Sequence, residues 1–179
     1  MKKNSYYETD EYVFFYGSIY SQWAKYDMVI DDIKYNCNEQ YMMFKKASFF
    51  GDDVAKNKIM ESQSPAEQKY WGRRVKKFDK DRWEVVARDI VFEANYAKFT
   101  QHEDLKKQLL ETGDKVIVEA SPYDCIWGVG LRASDPDILD EKNWRGKNWL
   151  GIAIMKVRDS IKLKKLLKIG ENCGKENRN

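Results

Sequence analysis

The segment from Asp81 to Phe99 repeats apolar residues at helical spacing, with Trp83, Val86, Ala87, Ile90, Val91 and Ala94 three or four positions apart. An apolar stripe of that period marks one face of an α-helix, and a face this long must be buried. It is the longest periodic run in the chain and predicts the core helix. A second stripe, Leu150, Ile154, Val157 and Ile161, predicts another helix from Asn148 to about Lys168. The polar residues 169–179 beyond it read as a flexible tail.

Shorter elements fall between and before these two. Asn38 is placed to cap a helix running through Glu39 to Ala47. Ser64-Pro65-Ala66-Glu67 predicts a helix start, with serine as cap, proline at the first position and Glu67 closing a capping box. Gly72 either ends that helix or permits close packing. Glu103 to Thr112 predicts a short helix stopped by Gly113, with His102 at its start in a surface or capping role. Tyr12-Val13-Phe14-Phe15-Tyr16 predicts a strand ending at Gly17, and Ile33-Lys34-Tyr35 and Lys115 to Glu119 predict two more. Several helices with only short strands make an α+β fold, mainly helical. Residues 1–168 are expected to form one domain.

At 179 residues, 42% of them hydrophobic and 34% charged, the chain is of a size to bury a core without disulfides or metals. No apolar run approaches the ~20 residues a membrane-spanning helix needs, and the first residues lack the apolar core of a signal peptide. A cytoplasmic protein with no membrane partner is expected. Cys37, Cys125 and Cys173 have no paired spacing and are expected to be reduced thiols. One histidine, His102, leaves few parts for histidine-based metal sites or a serine–histidine triad. Net charge of +3, from 32 basic and 29 acidic residues, neither demands nor excludes nucleic acid.

Glu39 and Lys46 lie seven residues apart, which places them on nearly one helix face, ~10.5 Å apart along the axis. Met42 and Met43 fall between them, so Lys46 would look onto an apolar wall that lowers its pKa and frees its amine as a nucleophile. The plainer reading is a solvated Lys46 and a Glu39 that complements the helix N-terminus. Trp83, Phe15 and Tyr16 fit either a core or a platform for a planar base. Asp124, in the loop Ser121 to Gly130 with Trp127 and Gly128, fits a general base, a ribose hydroxyl acceptor or a turn residue. Arg73 and Arg74 fit phosphate contacts or a solvated face, and Asn148 fits a ligand contact or a helix cap. The glycines match neither a dinucleotide fingerprint nor a phosphate loop.

Taken together, these blocks resemble the NADAR family, named for NAD and ADP-ribose, and its YbiA-like members. The matching segments include Phe14-Phe15-Tyr16-Gly17, Tyr35 to Met43 through Lys46-Ala47, Gly72-Arg73-Arg74, and Trp83. They continue with Ala97-Lys98-Phe99, Leu109 to Gly113, Val118 to Asp124, Ile126-Trp127-Gly128 and Trp144 to Gly151, covering roughly residues 14 to 163 in the family's order. The resemblance implies hydrolysis of N-glycosidic bonds, either in ribosylated pyrimidine intermediates of riboflavin synthesis or in ADP-ribose attached to guanine bases, including those of DNA. It also implies Glu39, Trp83 and Asp124 as active-site residues and Lys46 as the amine that attacks ribose C1. No metal or redox cofactor is required. Where many members have Phe-Ser-Asn-Trp, this chain has Tyr20-Ser21-Gln22-Trp23, which places Gln22 at an expected ligand-facing turn. The alternative of a non-catalytic NAD or ADP-ribose binding module would not need both Glu39 and Lys46.

Overall fold

The computed structural model describes residues 6–176, with side chains described through residue 167. The fold is α+β and mainly helical. Strands β1 (Tyr6–Glu8), β2 (Tyr12–Phe15) and β5 (Val116–Glu119) form one sheet in the order β1-β2-β5, and β3 (Met28–Ile30) pairs with β4 (Ile33–Tyr35) in a second. The β3–β4 turn is made by Asp31 and Asp32, both at positive φ (52° and 61°). That mirror-image turn matches the twist of a two-residue hairpin, and aspartate is among the few non-glycine residues that tolerate it.

In the first sheet β2 runs antiparallel to β1 and parallel to β5, with Phe15 opposite Glu119. Side-chain alternation divides the apolar residues between two layers. Val13, Phe15 and Ile117 enter the main core under the helices, whereas Phe14 and Val118 enter a smaller cluster with Ala120, Val129, Leu131 and Ile138. The parallel pairing needs a long crossover, and helices α1 (Asn38–Phe49), α2 (Asp53–Glu61), α3 (Pro65–Gly72), α4 (Lys80–Gln101) and α5 (Glu103–Glu111) all lie within it.

The helix α4 buries Trp83, Ala87, Ile90, Val91 and Ala94, the stripe that predicted it, and Asp79 caps it by accepting from the Arg82 N–H at 2.9 Å. It packs on α6 (Trp149–Glu176), which buries Leu150, Ile154, Val157 and Ile161. The helix continues past Lys168, its expected end; of the expected tail, 177–179 and the side chains from 168 onward lie outside the described residues. α1 is covered by α2, α3 and α4 and is buried on nearly every side. Gly72 is the reason α3 comes so close: a Cβ there would lie 1.9 Å from Met43 Sδ and 2.7 Å from its Cγ.

Two local expectations need correction. Cys37, not Asn38, stands at the start of α1, and Asn38 is fully buried inside the helix. Ser64 precedes α3 without a side-chain cap, because Glu67 accepts instead from the Ser62 hydroxyl at 2.7 Å. The helix α2 carried no clear sequence signal; Asp52 sets its start by accepting from the Ala55 N–H at 3.1 Å and also holds the Lys76 N–H at 2.9 Å. His102 joins α4 to α5 without a side-chain cap, its Nε2 lying 2.7 Å from the Asp27 carbonyl.

Asn148 ties the start of α6 to the sheet. Its Oδ1 accepts from the Glu119 N–H at 3.1 Å and its Nδ2 donates to the Ile117 carbonyl at 2.9 Å, while its own φ is 49°. Asn148→Ala leaves two backbone groups of β5 without partners and places a Cβ-bearing residue in left-handed backbone with no compensating bond. A loss of about 2–4 kcal/mol is expected by denaturant unfolding. Asn148→Gly loses the same bonds but tolerates the backbone, and should cost roughly 1 kcal/mol less.

Candidate functional site

Because β2 and β5 are parallel, the chain leaves both strands at the same edge of the sheet, the edge where ligands bind in many α/β folds. Residues 16–26 follow β2 and residues 120–130 follow β5. The N-terminus of α1 is pinned to the first of these segments by the Glu39 N–H donating to the Gln22 carbonyl at 2.9 Å. Three stretches distant in sequence therefore meet over one patch.

Glu39 occupies the first turn of α1 and is only 5% exposed. Burial pushes its carboxyl up to about 7, and the negative charge of Asp124 adds to the rise. Lys69, a hydrogen bond from the Trp23 side chain, and Arg73 oppose it without cancelling it. Lys46 lies two turns further along α1 and is half-buried, its Nζ 3.9 Å from the centre of the Phe78 ring and 6.0 Å from that of Trp83. Burial lowers its pKa, the Glu39 charge opposes this, and Arg73 reinforces it. A carboxyl that titrates near neutrality beside an amine pushed toward its free-base form is a set of parts for proton transfer and nucleophilic attack.

α3 supplies Lys69 in its last turn and Arg73 just after its end, with the Arg73 N–H donating to the Lys69 carbonyl at 2.9 Å. Lys69 Nζ stands 5.6 Å from the centre of the Trp23 ring. The two cations are in range to hold anionic groups of a ligand near Glu39.

Asp124 takes the turn role among those open to it in sequence. Its Oδ1 accepts from the N–H groups of Ile126 at 2.9 Å and Trp127 at 2.7 Å, so it shapes the turn. Its charge also reaches Glu39 and Glu119. Glu119, the last residue of β5, is pushed up to about 8 by burial and by Asp124, against the pull of Lys69 and Lys98. Among the described residues no group of three or more His, Cys, Asp and Glu side chains is arranged to hold a metal ion.

Other residues expected to touch a ligand are spent on the protein itself. Phe15 is 0% exposed and packs against Tyr20, so neither face is open to a base. Gln22 is buried, its Oε1 accepting from Asn38 Nδ2 at 3.1 Å and Asn95 Nδ2 at 3.2 Å, and so is not the ligand-facing amide the turn suggested. Trp83 is 7% exposed and meets Phe49 edge to face; it is a wall beside Lys46, with no open platform for stacking. Trp127 packs on Trp149. Gly128 is a close-approach position, where a Cβ would lie 2.9 Å from the carbonyl oxygens of both Asp124 and Glu119. Asn148 is committed to β5. Tyr16 is exposed at the end of β2, and Arg73 is exposed at the end of α3.

Three residues of the patch were not singled out by sequence reasoning. Trp23 is 44% exposed, Lys69 sits over it, and Glu119 faces Asp124. Glu119 stood inside a matching block and Trp23 in the segment where this chain departs from the family, but no periodicity distinguishes an exposed indole from a core one. Lys45, next to Lys46, points elsewhere. It lines a groove of about 810 Å³ between α1 and α4 with Phe44, Phe49, Phe92, Glu93 and Tyr96, and that groove contains none of the charged groups around Glu39.

Comparison with known proteins finds relatives along most of the chain. The NADAR domain model matches residues 6–162. The chain is 46% identical over 165 residues to N-glycosidase R617 of Acanthamoeba polyphaga mimivirus, covering 85% of this chain and 97% of that protein. It is 29% identical over 150 residues to N-glycosidase YbiA of Escherichia coli, covering 84% of each. The NMR structure of the E. coli protein YbiA superposes with a TM-score of 0.73 at 26% identity, covering 92% of this chain and 93% of that one. With the family model spanning most of its length and a relative of nearly half identity aligned over 85% of it, the chain belongs to the NADAR domain family.

Proposed function

We propose that this protein is an N-glycosidase that releases ADP-ribose from guanine bases, including those in DNA, by cleaving the bond between ribose C1 and a base nitrogen. The observation that carries this reading is the placement of Glu39 and Lys46 on one face of helix α1, Glu39 buried, Lys46 half-buried and acted on by the Glu39 charge. A non-catalytic binder has no need of a carboxyl and an amine both displaced from their ordinary pKa values. The relatives' names, N-glycosidase, support the reaction class. Lys69 and Arg73 support a ligand bearing more than one phosphate, because two cations flank the same carboxyl.

In this mechanism the C1–N bond breaks and its electron pair leaves with the base. Glu39, as carboxylate, offsets the positive charge that develops on the sugar. The Lys46 amine captures C1 of the opened ribose as a Schiff base, which water later hydrolyses. The iminium is a cation, and the Phe78 ring beside Nζ favours a cation at that position. Trp23 offers an exposed aromatic surface for the base.

The substrate is tested by assaying purified protein in parallel on ADP-ribosylated guanine DNA and on ribosylamino-pyrimidine phosphates. Turnover of the DNA alone is expected. Turnover of the pyrimidine alone would redirect the site to a small monophosphate, and binding of ADP-ribose without turnover of either would make the domain a binding module.

Glu39→Gln is expected to lower turnover at least 100-fold while raising the melting temperature. Burial raises the folded-state pKa of Glu39 above its unfolded value, so the unfolded chain releases this proton first and wild-type stability falls as pH rises from about 4.5 through about 7. Glutamine removes that dependence. The gap in melting temperature should therefore widen between pH 5 and pH 8, measured by thermal unfolding in matched buffers.

Borohydride added during turnover is expected to fix the sugar to Lys46, located by peptide mass spectrometry. Lys46→Ala should abolish trapping. Lys45→Ala should trap as wild type does, because Lys45 Nζ lies over the Tyr41 ring at 5.5 Å in the other groove. An active enzyme that never traps would leave direct attack by water as the better mechanism.

A further inference from the structure

The proposed reaction needs a proton on the departing base nitrogen, since a neutral purine leaves poorly as an anion. At this end of the sheet the Asp124 charge acts on two other carboxyl groups, Glu39 and Glu119. Asp124 is poorly suited to donate that proton. Its Oδ1 accepts two backbone N–H bonds, at 2.9 and 2.7 Å, which fix the group in its turn. Glu39 is already assigned the charge that faces the sugar. Glu119 has no role in that scheme, yet its placement is tightly built.

Glu119 ends β5, where the chain turns toward the loop that carries Asp124. Its backbone is held from both sides: its N–H donates to Asn148 Oδ1 at 3.1 Å, and its carbonyl accepts from the Val129 N–H at 3.0 Å. Its stem lies against Gly128, whose missing Cβ would stand 3.1 Å from Glu119 Cγ and 2.9 Å from the Asp124 carbonyl. Glycine at 128 therefore lets the Asp124 loop close down on the Glu119 side chain. The groups whose charges reach Glu119 are Asp124 from the loop, Lys69 from α3 and Lys98 from α4. Lys98 is fully buried and donates to the carbonyls of Ile19 at 2.8 Å and Ser21 at 3.3 Å, so it is anchored to the turn that carries Trp23.

We infer that Glu119 is the general acid of this site, protonating the base nitrogen as the C1–N bond breaks. The inference rests on the N-glycosidase reading. The bonding pair passes to the nitrogen, the carboxyl proton follows it, and Glu119 is left as carboxylate. Water supplies the new oxygen at C1, and the proton it releases restores Glu119. Burial and Asp124 together keep the side chain protonated up to about pH 8, which an acid working near neutrality requires.

The test compares kcat/KM against pH for wild type, Glu119→Gln and Glu119→Asp on ADP-ribosylated guanine DNA. Wild type should show an alkaline limb falling near pH 8. Glu119→Gln should be at least 100-fold slower at neutral pH and lose that limb, and Glu119→Asp should recover part of the rate and keep a shifted limb. Glu119→Gln within threefold of wild type overturns the inference, as does a slow variant whose alkaline limb is unchanged. If Glu119→Gln fails to fold, Glu119→Asp decides: an unshifted limb overturns the assignment. Wild-type protein that cleaves no N-glycosyl substrate defeats the parent reading instead, and does so before any variant is made.

Discussion

The burial of α1 is the constraint on which the site depends. Packed against α2, α3 and α4, this helix buries Glu39 and leaves Lys46 half-buried. Removing water from a carboxyl raises its pKa and removing it from an amine lowers its pKa, so one act of packing moves both groups toward neutrality. Packing sets the chemistry here. A surface helix with the same two residues would leave both at their ordinary values.

Keeping these groups buried without full ion pairing costs stability, and the surrounding structure offsets it with bonds that also fix geometry. Asn148 clamps β5 to α6 directly beneath Glu119, and Lys98 holds the turn from which Trp23 reaches Glu39. Arg158 of α6 donates to Thr112 Oγ1 and to the Lys115 carbonyl, both at 2.8 Å, and so fixes the entry into β5. These buried polar contacts join helix, strand and loop at the places where the site residues emerge. Their rigidity matters because proton transfer depends on tenths of an ångström.

The glycines at the crossings serve the same end by another route. Gly72 brings α3, with Lys69 and Arg73, against Met43 on α1, and Gly128 brings the Asp124 loop onto Glu119. Each is a place where a side chain would hold two charged segments apart. The electrostatic coupling among the site's acids and bases is thus a consequence of close backbone approach.

Much of this architecture follows from local sequence. The stripes on α4 and α6, the β2 strand, the α+β class and the seven-residue spacing of Glu39 and Lys46 are short-range patterns, set by helix and strand periodicity. Local sequence did not reveal α2, whose start depends on Asp52 also holding the distant Lys76 N–H, nor did it place Cys37 rather than Asn38 at the start of α1. It could not separate Phe15, sealed in the core, from Trp23, open at the site, because both are aromatic residues beside a turn. Nor could it reveal Glu119, which sits in an alternating strand like any polar residue and gains its environment from Asp124, Lys69 and Lys98. Local periodicity is enough to say which residues share a helix face. Which of them lose water, and which charges they meet, depends on the assembled fold, because burial and electrostatic coupling arise between segments far apart along the chain.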